Sequence, residues 1–186
     1  MAKYLQRVRI IPICKEHPSN FYIGYGKMIP SESVCYWQLA GGKVESGETI
    51  IDAAYRELKE EFGISPNPES DPYPWTAILT GTSFKTEYNL KCDPSKLSKE
   101  QLRRRKEYCG VETHVVSLFI DRNAFIAATR EVTEVATVNI QVFELLTIKN
   151  PEAMQSEHRE AFTSMYREVL RVMGADGQPS FISLET

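Results

Sequence analysis

The stretch from Gly42 to Ile64 limits what this chain can fold into more than any other part of it. A glycine-rich turn from Gly42 to Gly47 is followed by a helical pattern and a glycine stop at Gly63. Thr49 and Asp52 form a capping pair able to satisfy backbone donors at a helix start. Ile51, Ala54, Tyr55, Leu58 and Phe62 recur at helical spacing and leave one stripe to bury. Gly63 can adopt the left-handed conformation that closes a last turn, and Pro66 opposes continuation.

Glu57, Glu60 and Glu61 stand at i, i+3 and i+4, so they are neighbours on the helix surface. At ~100° per residue their mean direction lies roughly 120° from the apolar stripe. Like charges this close repel, and near a helix C-terminus the macrodipole disfavours anions further. Two readings follow. One is a solvated acidic face with Arg56 and Lys59 as counter-ions. The other is a site for a divalent cation, because hard ions such as Mg²⁺ take carboxylate ligands.

The complete spacing favours the second reading. Gly42, five residues, Glu48, seven residues, then Arg56-Glu57-Leu58-x-Glu60-Glu61-x-Gly63-Ile64 resembles the signature of the Nudix hydrolase family at every defined position. The resemblance implies an α/β fold: an α/β/α sandwich with a mixed β-sheet between the motif helix and a C-terminal helix. The reaction it implies is hydrolysis of a phosphoanhydride in a nucleoside diphosphate linked to another group, with Mg²⁺ as cofactor and Mn²⁺ able to substitute. By the same resemblance Glu57, Glu60 and Glu61 would ligate the metal, with the Gly41 carbonyl as an extra ligand. In some relatives the residue matching Glu57 is the base. Arg56 would hold the acids in place, and Glu48 would reach Arg56 or a metal-bound water. Gly42 and Gly47 would supply tight turns. Relatives often use one more glutamate from a later loop, for which Glu131, then Glu134, then Glu112 are the candidates here. Many relatives have proline where this chain has Ala40.

At 186 residues the chain suits one domain, expected over 1–174, with a flexible tail at 175–186. Its apolar runs are too short to span a bilayer, and the N-terminus lacks a signal-peptide pattern. Cys14, Cys35, Cys92 and Cys109 show no Cys-x-x-Cys pairing and read as reduced thiols of a cytoplasmic protein. A zinc site from Cys92, Cys109 and His114 would lack any standard spacing. A homodimer is compatible with the sequence.

Along the chain, Val8 to Ile13 and Phe21 to Lys27 read as strands, and Pro12 points to an edge position or a bulge in the first. Tyr36 to Leu39 should deliver the chain into Ala40-Gly41-Gly42. Pro66 to Pro74 reads as an exposed loop, and Trp75 to Lys85 and Thr113 to Arg122 as strands. Residues 85–110 form a basic insert of net charge +4 in a chain of net −3, so the remainder carries −7. Ser98 and Gln101 form a capping box, with Leu97 and Leu102 as a staple, predicting a helix from about Lys99 to Tyr108. Val132 to Ile140 should be a strand and Gln141 to Ile148 a helix. A further helix should start at Asn150-Pro151 and bury Phe162, Met165, Tyr166, Val169, Leu170 and Met173.

Arg103, Arg104 and Arg105 carry two readings: a solvated helix, or a cationic lip drawing a polyphosphate or a capped or triphosphate RNA end toward the acids. Tyr25, Phe84 and Tyr88 could each offer a face to a base. A different class stays open: a Nudix-shaped protein that binds nucleotide or RNA and regulates without turnover. The intact acidic set weighs against it.

Overall fold

The computed structural model describes residues 2–26, 35–65, 76–89, 93–121, 124–126, 129, 132, 134–154 and 158–163. The proline-rich loop 66–74, Cys92, Glu131, the apolar stripe beyond residue 163 and the tail 175–186 lie outside the described residues. In chain order the elements are β1 (Tyr4–Cys14), β2 (Asn20–Gly26), β3 (Tyr36–Gln38), α1 (Ile50–Phe62), β4 (Ile64–Ser65), β5 (Thr76–Glu87), α2 (Lys99–Glu107), β6 (Gly110–Ile120), β7 (Phe125–Ile126), β8 (Glu134–Asn139) and α3 (Ile140–Lys149).

The main sheet is mixed. β1 and β6 run parallel in unbroken register from Tyr4 opposite Gly110 to Cys14 opposite Ile120. β5 joins β6 antiparallel, with a register shift between Leu79 and Ser83. β8 lies antiparallel on β2. A wedge forms where β1 and β2 part: they are paired at Ile13 and Phe21, then diverge. The segment 36–44 fills that wedge. Its first part, β3, pairs with β2 from Tyr36 opposite Gly26 to Gln38 opposite Gly24. Its second part pairs with β1: the Ile10 N–H donates to the Ala40 carbonyl at 2.9 Å and the Val8 N–H to the Gly42 carbonyl at 2.9 Å.

That wedge explains Pro12, and corrects the expectation of an edge or a bulge. β1 is internal and its register on β6 is unbroken. Val8 and Ile10 turn their N–H groups toward residues 40–44, and alternation turns the Pro12 nitrogen the same way. The missing donor falls where β1 passes from one partner to the next, so few ladder bonds are lost.

Alternation also sorts the core into two layers. On one face Val8, Ile10, Val116 and Leu118 meet Ala53, Ala54, Leu58 and Phe62 of α1. On the other Ile11, Ile13, Phe21, Ile23, Leu39 and Val115 meet Ile140 and Phe143 of α3 with Ala161 and Phe162. Phe21, Phe143 and Phe162 close the second layer with ring centroids 5.1–5.3 Å apart, a spacing aromatic rings favour. The result is the expected α/β/α sandwich.

α2 forms in the insert, capped by Ser98 and Gln101 as its sequence predicts. The helix expected at Asn150 does not begin there. Pro151–Ala153 is a single 3₁₀ turn, and the Asn150 side chain makes no capping bond. Met154 is instead drawn into a bridge with Trp37 and buried, which forces an extended residue between that turn and the helical residues 158–163. Cys14, Cys35 and Cys109 are free thiols. Among the described residues no helix is long and apolar enough to cross a membrane.

Candidate active site

α1 presents the acids and its ends fix their height. The Thr49 Oγ1 accepts the Asp52 N–H at 3.1 Å, the Thr49 N–H reaches Asp52 Oδ2 at 3.4 Å, and Gly63 closes the helix at φ 66°. Once Ala53, Ala54, Leu58 and Phe62 are buried, Glu57 and Glu61 flank the 41–42 turn and Glu60 faces solvent.

Arg56 sits at the centre of this surface and spends all of its donors there. Its Nε and Nη2 bind the two oxygens of Glu48 at 2.9 and 3.0 Å, a bidentate pair. Nη1 donates to Glu57 Oε1 at 2.7 Å and to Glu60 Oε2 at 3.1 Å, and Nη2 also reaches the Lys43 carbonyl at 2.9 Å. The hydrogen bonds that Arg56 donates to Glu48, then those to Glu57 and Glu60, raise its pKa still higher, against the opposing effect of burial. The same bonds hold the Glu48 carboxyl below the ordinary carboxylate range. Part of the repulsion noted in the sequence is therefore relieved within the chain, by Arg56. Among the described residues no three of His, Cys, Asp and Glu close into a metal-binding group.

The turn at Gly41 and Gly42 is pressed against these acids. The Gly41 N–H donates to Glu61 Oε2 at 2.7 Å, and its carbonyl accepts Arg9 Nη1 at 2.6 Å. Gly41 has φ 143°, and a Cβ there would strike the Val8 carbonyl. At Gly42 a Cβ would overlap the Glu57 carboxylate, so both glycines are needed for close approach. The donors gathered here are carboxylate and carbonyl oxygens, the set that hard divalent ions take.

The sequence model of the NUDIX domain matches residues 22–164, well over half of the chain. The chain belongs to the NUDIX domain family. An RNA pyrophosphohydrolase from Halorhodospira halophila is 34% identical over 73 residues, which is 39% of this chain and 33% of that protein. The chain spans a third or less of the length of the curated relatives it matches. Among solved structures, the dihydroneopterin triphosphate pyrophosphohydrolase of E. coli superposes with a TM-score of 0.55 at 18% identity, over 87% of this chain and 95% of that one. A bifunctional NMN adenylyltransferase/ADP ribose pyrophosphatase from Francisella tularensis, complexed with AMP and a manganese ion, gives 0.53 at 19% identity, over 91% of this chain and 43% of that one. Those two likenesses concern the fold.

The remaining sequence candidates are scattered around the Nudix motif. Glu112 belongs to a separate network: Gln6 Nε2 and Ser83 Oγ donate to it at 3.2 and 3.1 Å, and these bonds hold its carboxyl below the usual range. Glu134 is exposed on β8, opposite Tyr25. Phe84 packs against the second core layer. Tyr88 lies under the Arg105 guanidinium at 5.4 Å, and Arg105 donates to the Asn89 carbonyl at 2.7 Å. Arg103 and Arg104 both bind Glu100, whose carboxyl they pull down to about 2. Much of the charge on the lip is thus matched on its own helix. Of the zinc candidates, Cys109 Sγ donates to the Lys3 carbonyl and His114 Nε2 pairs with Gln6 Oε1 at 2.6 Å.

Sequence reasoning missed three residues. Arg9 is 6% exposed and reaches the Gly41 carbonyl; its signal was a lone charge inside an apolar strand. His158 is buried and its Nδ1 accepts the Leu39 N–H at 3.0 Å, anchoring the strand that leads to Gly41. Nothing in its neighbourhood marked it. Trp37 packs against Tyr25 with the ring planes inclined.

Proposed function

We propose that this Nudix chain is a pyrophosphohydrolase: with a divalent cation it cleaves a phosphoanhydride in a nucleoside diphosphate linked to a further group. The observation that carries this reading is the meeting of Glu57 and Glu61 with the Gly41–Gly42 turn, at glycines where any side chain would intrude. Glu57, Glu60 and Glu61, with the Gly41 carbonyl, would hold Mg²⁺, or Mn²⁺ in its place. Held there, such an ion would neutralise phosphate oxygens and lower the pKa of a water molecule beside it.

The chain's own residues supply placement. Arg56, fixed by Glu48, holds the Glu57 and Glu60 carboxylates in one orientation. Glu61 fixes the Gly41 amide, and Arg9 fixes its carbonyl. Glu131 stays the first candidate for a further acid from the later loop. The likeness to an RNA pyrophosphohydrolase and the basic insert support a highly charged substrate, with a triphosphate or capped RNA end among the candidates.

One observation favours the alternative of nucleotide or RNA binding without turnover. Arg56 already satisfies Glu48, Glu57 and Glu60 within the chain. Incubation with Mg²⁺ and a panel of nucleotide derivatives and capped or triphosphate RNA decides between them. Turnover is expected, and Glu60→Gln, at a side chain 59% exposed, should lower it at least ~100-fold with the fold intact. Equal rates in the variant would remove the catalytic assignment.

A further inference from the structure

Tyr25 and Trp37 stand directly opposite one another on β2 and β3, with ring centroids 5.0 Å apart and planes inclined by 50°. Both lie on the sheet face opposite α1. Phe21 and Ile23 lead to Tyr25 at a period of two, Leu39 follows Trp37 at the same period, and those three are in the second core layer. The cover supplied by α3 and residues 158–163 buries Phe21, Ile23 and Leu39 almost completely, yet leaves Tyr25 37% exposed. An exposed Tyr25 ring is therefore backed by a half-buried Trp37 at the end of a packed face.

Its position relates it to the acids. Trp37 and Gly41 lie on the one segment that fills the β1–β2 wedge. Four residues at ~3.3 Å each place the Trp37 backbone within about 13 Å of that of Gly41, inside the reach of an extended nucleoside diphosphate. Glu134 is in register with Tyr25 from the other side of β2, so its side chain rises on the same face. An ionised carboxylate there only accepts hydrogen bonds.

We propose that Tyr25 and Trp37 form the stacking platform for the base of the nucleotide substrate, and that Glu134 at its edge selects a base presenting an amino group. This rests on the hydrolase reading for its substrate, but binding can be measured without turnover. The chain has two tryptophans, Trp37 and Trp75, so Trp75→Phe leaves Trp37 as the fluorescent reporter. Titration with AMP should change the Trp37 emission, and titration with inorganic pyrophosphate should not. Tyr25→Ala, at an exposed side chain, should weaken AMP binding on the order of tenfold. Glu134→Gln should weaken AMP and CMP but leave UMP unchanged. Should Trp75→Phe disturb folding, calorimetry of AMP binding to the Tyr25→Ala and Trp37→Phe variants gives the same comparison. Equal AMP affinity in Tyr25→Ala would overturn the platform, and equal losses for AMP and UMP in Glu134→Gln would overturn the selectivity. A protein that binds AMP through Tyr25 but cleaves nothing keeps the platform and refutes the hydrolase reading. One that cleaves tripolyphosphate and ignores the base does the reverse.

Discussion

Gly42→Ala separates the placement of Glu57 from the folding of the chain. A Cβ at Gly42 would lie 2.6 Å from the Glu57 Cδ and 2.7 Å from its Oε2, where ordinary contact begins near 3.4 Å. Oε1 is closer still, so the carboxylate must recede by about 1 Å to recover normal separation. It can do so cheaply for the fold, because the intruded group is the end of a flexible side chain. Gly42 is also not among the glycines with positive φ, so alanine suits its backbone. A stability loss of about 1 kcal/mol, or roughly 2–4 °C in Tm, is expected. The reaction should suffer far more, since a misplacement near 1 Å costs about 10²-fold. The measurement pairs a thermal melt by circular dichroism with kcat/KM under saturating Mg²⁺. A folded variant within threefold of the wild-type kcat/KM would refute the placement of Glu57 beside the reacting phosphates. Gly41→Ala is the contrasting control: its φ of 143° and the rigid Val8 carbonyl leave no escape, so it should lose the fold along with the activity.

Glu48 should govern part of the acid stability. Arg56 holds its folded-state pKa below the ordinary carboxylate range, so its contribution is fully present above the unfolded pKa and is lost as pH falls through the lower folded value. Urea titrations from pH 7 down to 3 should show Glu48→Gln with a shallower loss than wild type; parallel curves would contradict this. Reversing Arg103, Arg104 and Arg105 to glutamate should raise KM, most at low salt. An unchanged KM would leave α2 a solvated helix whose arginines serve Glu100. His158→Phe removes the acceptor for the buried Leu39 N–H and should cost about 1–3 kcal/mol by chemical denaturation, whereas an unperturbed midpoint would show that this bond does not hold β3.

The sequence by itself determined α1, its caps and the spacing of its acids. Each of those depends on residues within a turn or two of one another, and local periodicity records such neighbours. Thr49 with Asp52, Gly63 and the Glu57–Glu60–Glu61 face all stand where the pattern put them. α2 with its Ser98 cap was legible for the same reason. Only the tertiary structure decided what those acids meet. Arg9 reaches Gly41 across 32 residues and His158 reaches Leu39 across 119. Pro12 sits inside the sheet because β1 and β2 part around residues 36–44, a pairing that strand propensity cannot anticipate. Met154 was pulled from an expected helix by its bridge to Trp37. Such contacts arise when whole layers pack, so they leave no period in the chain to read.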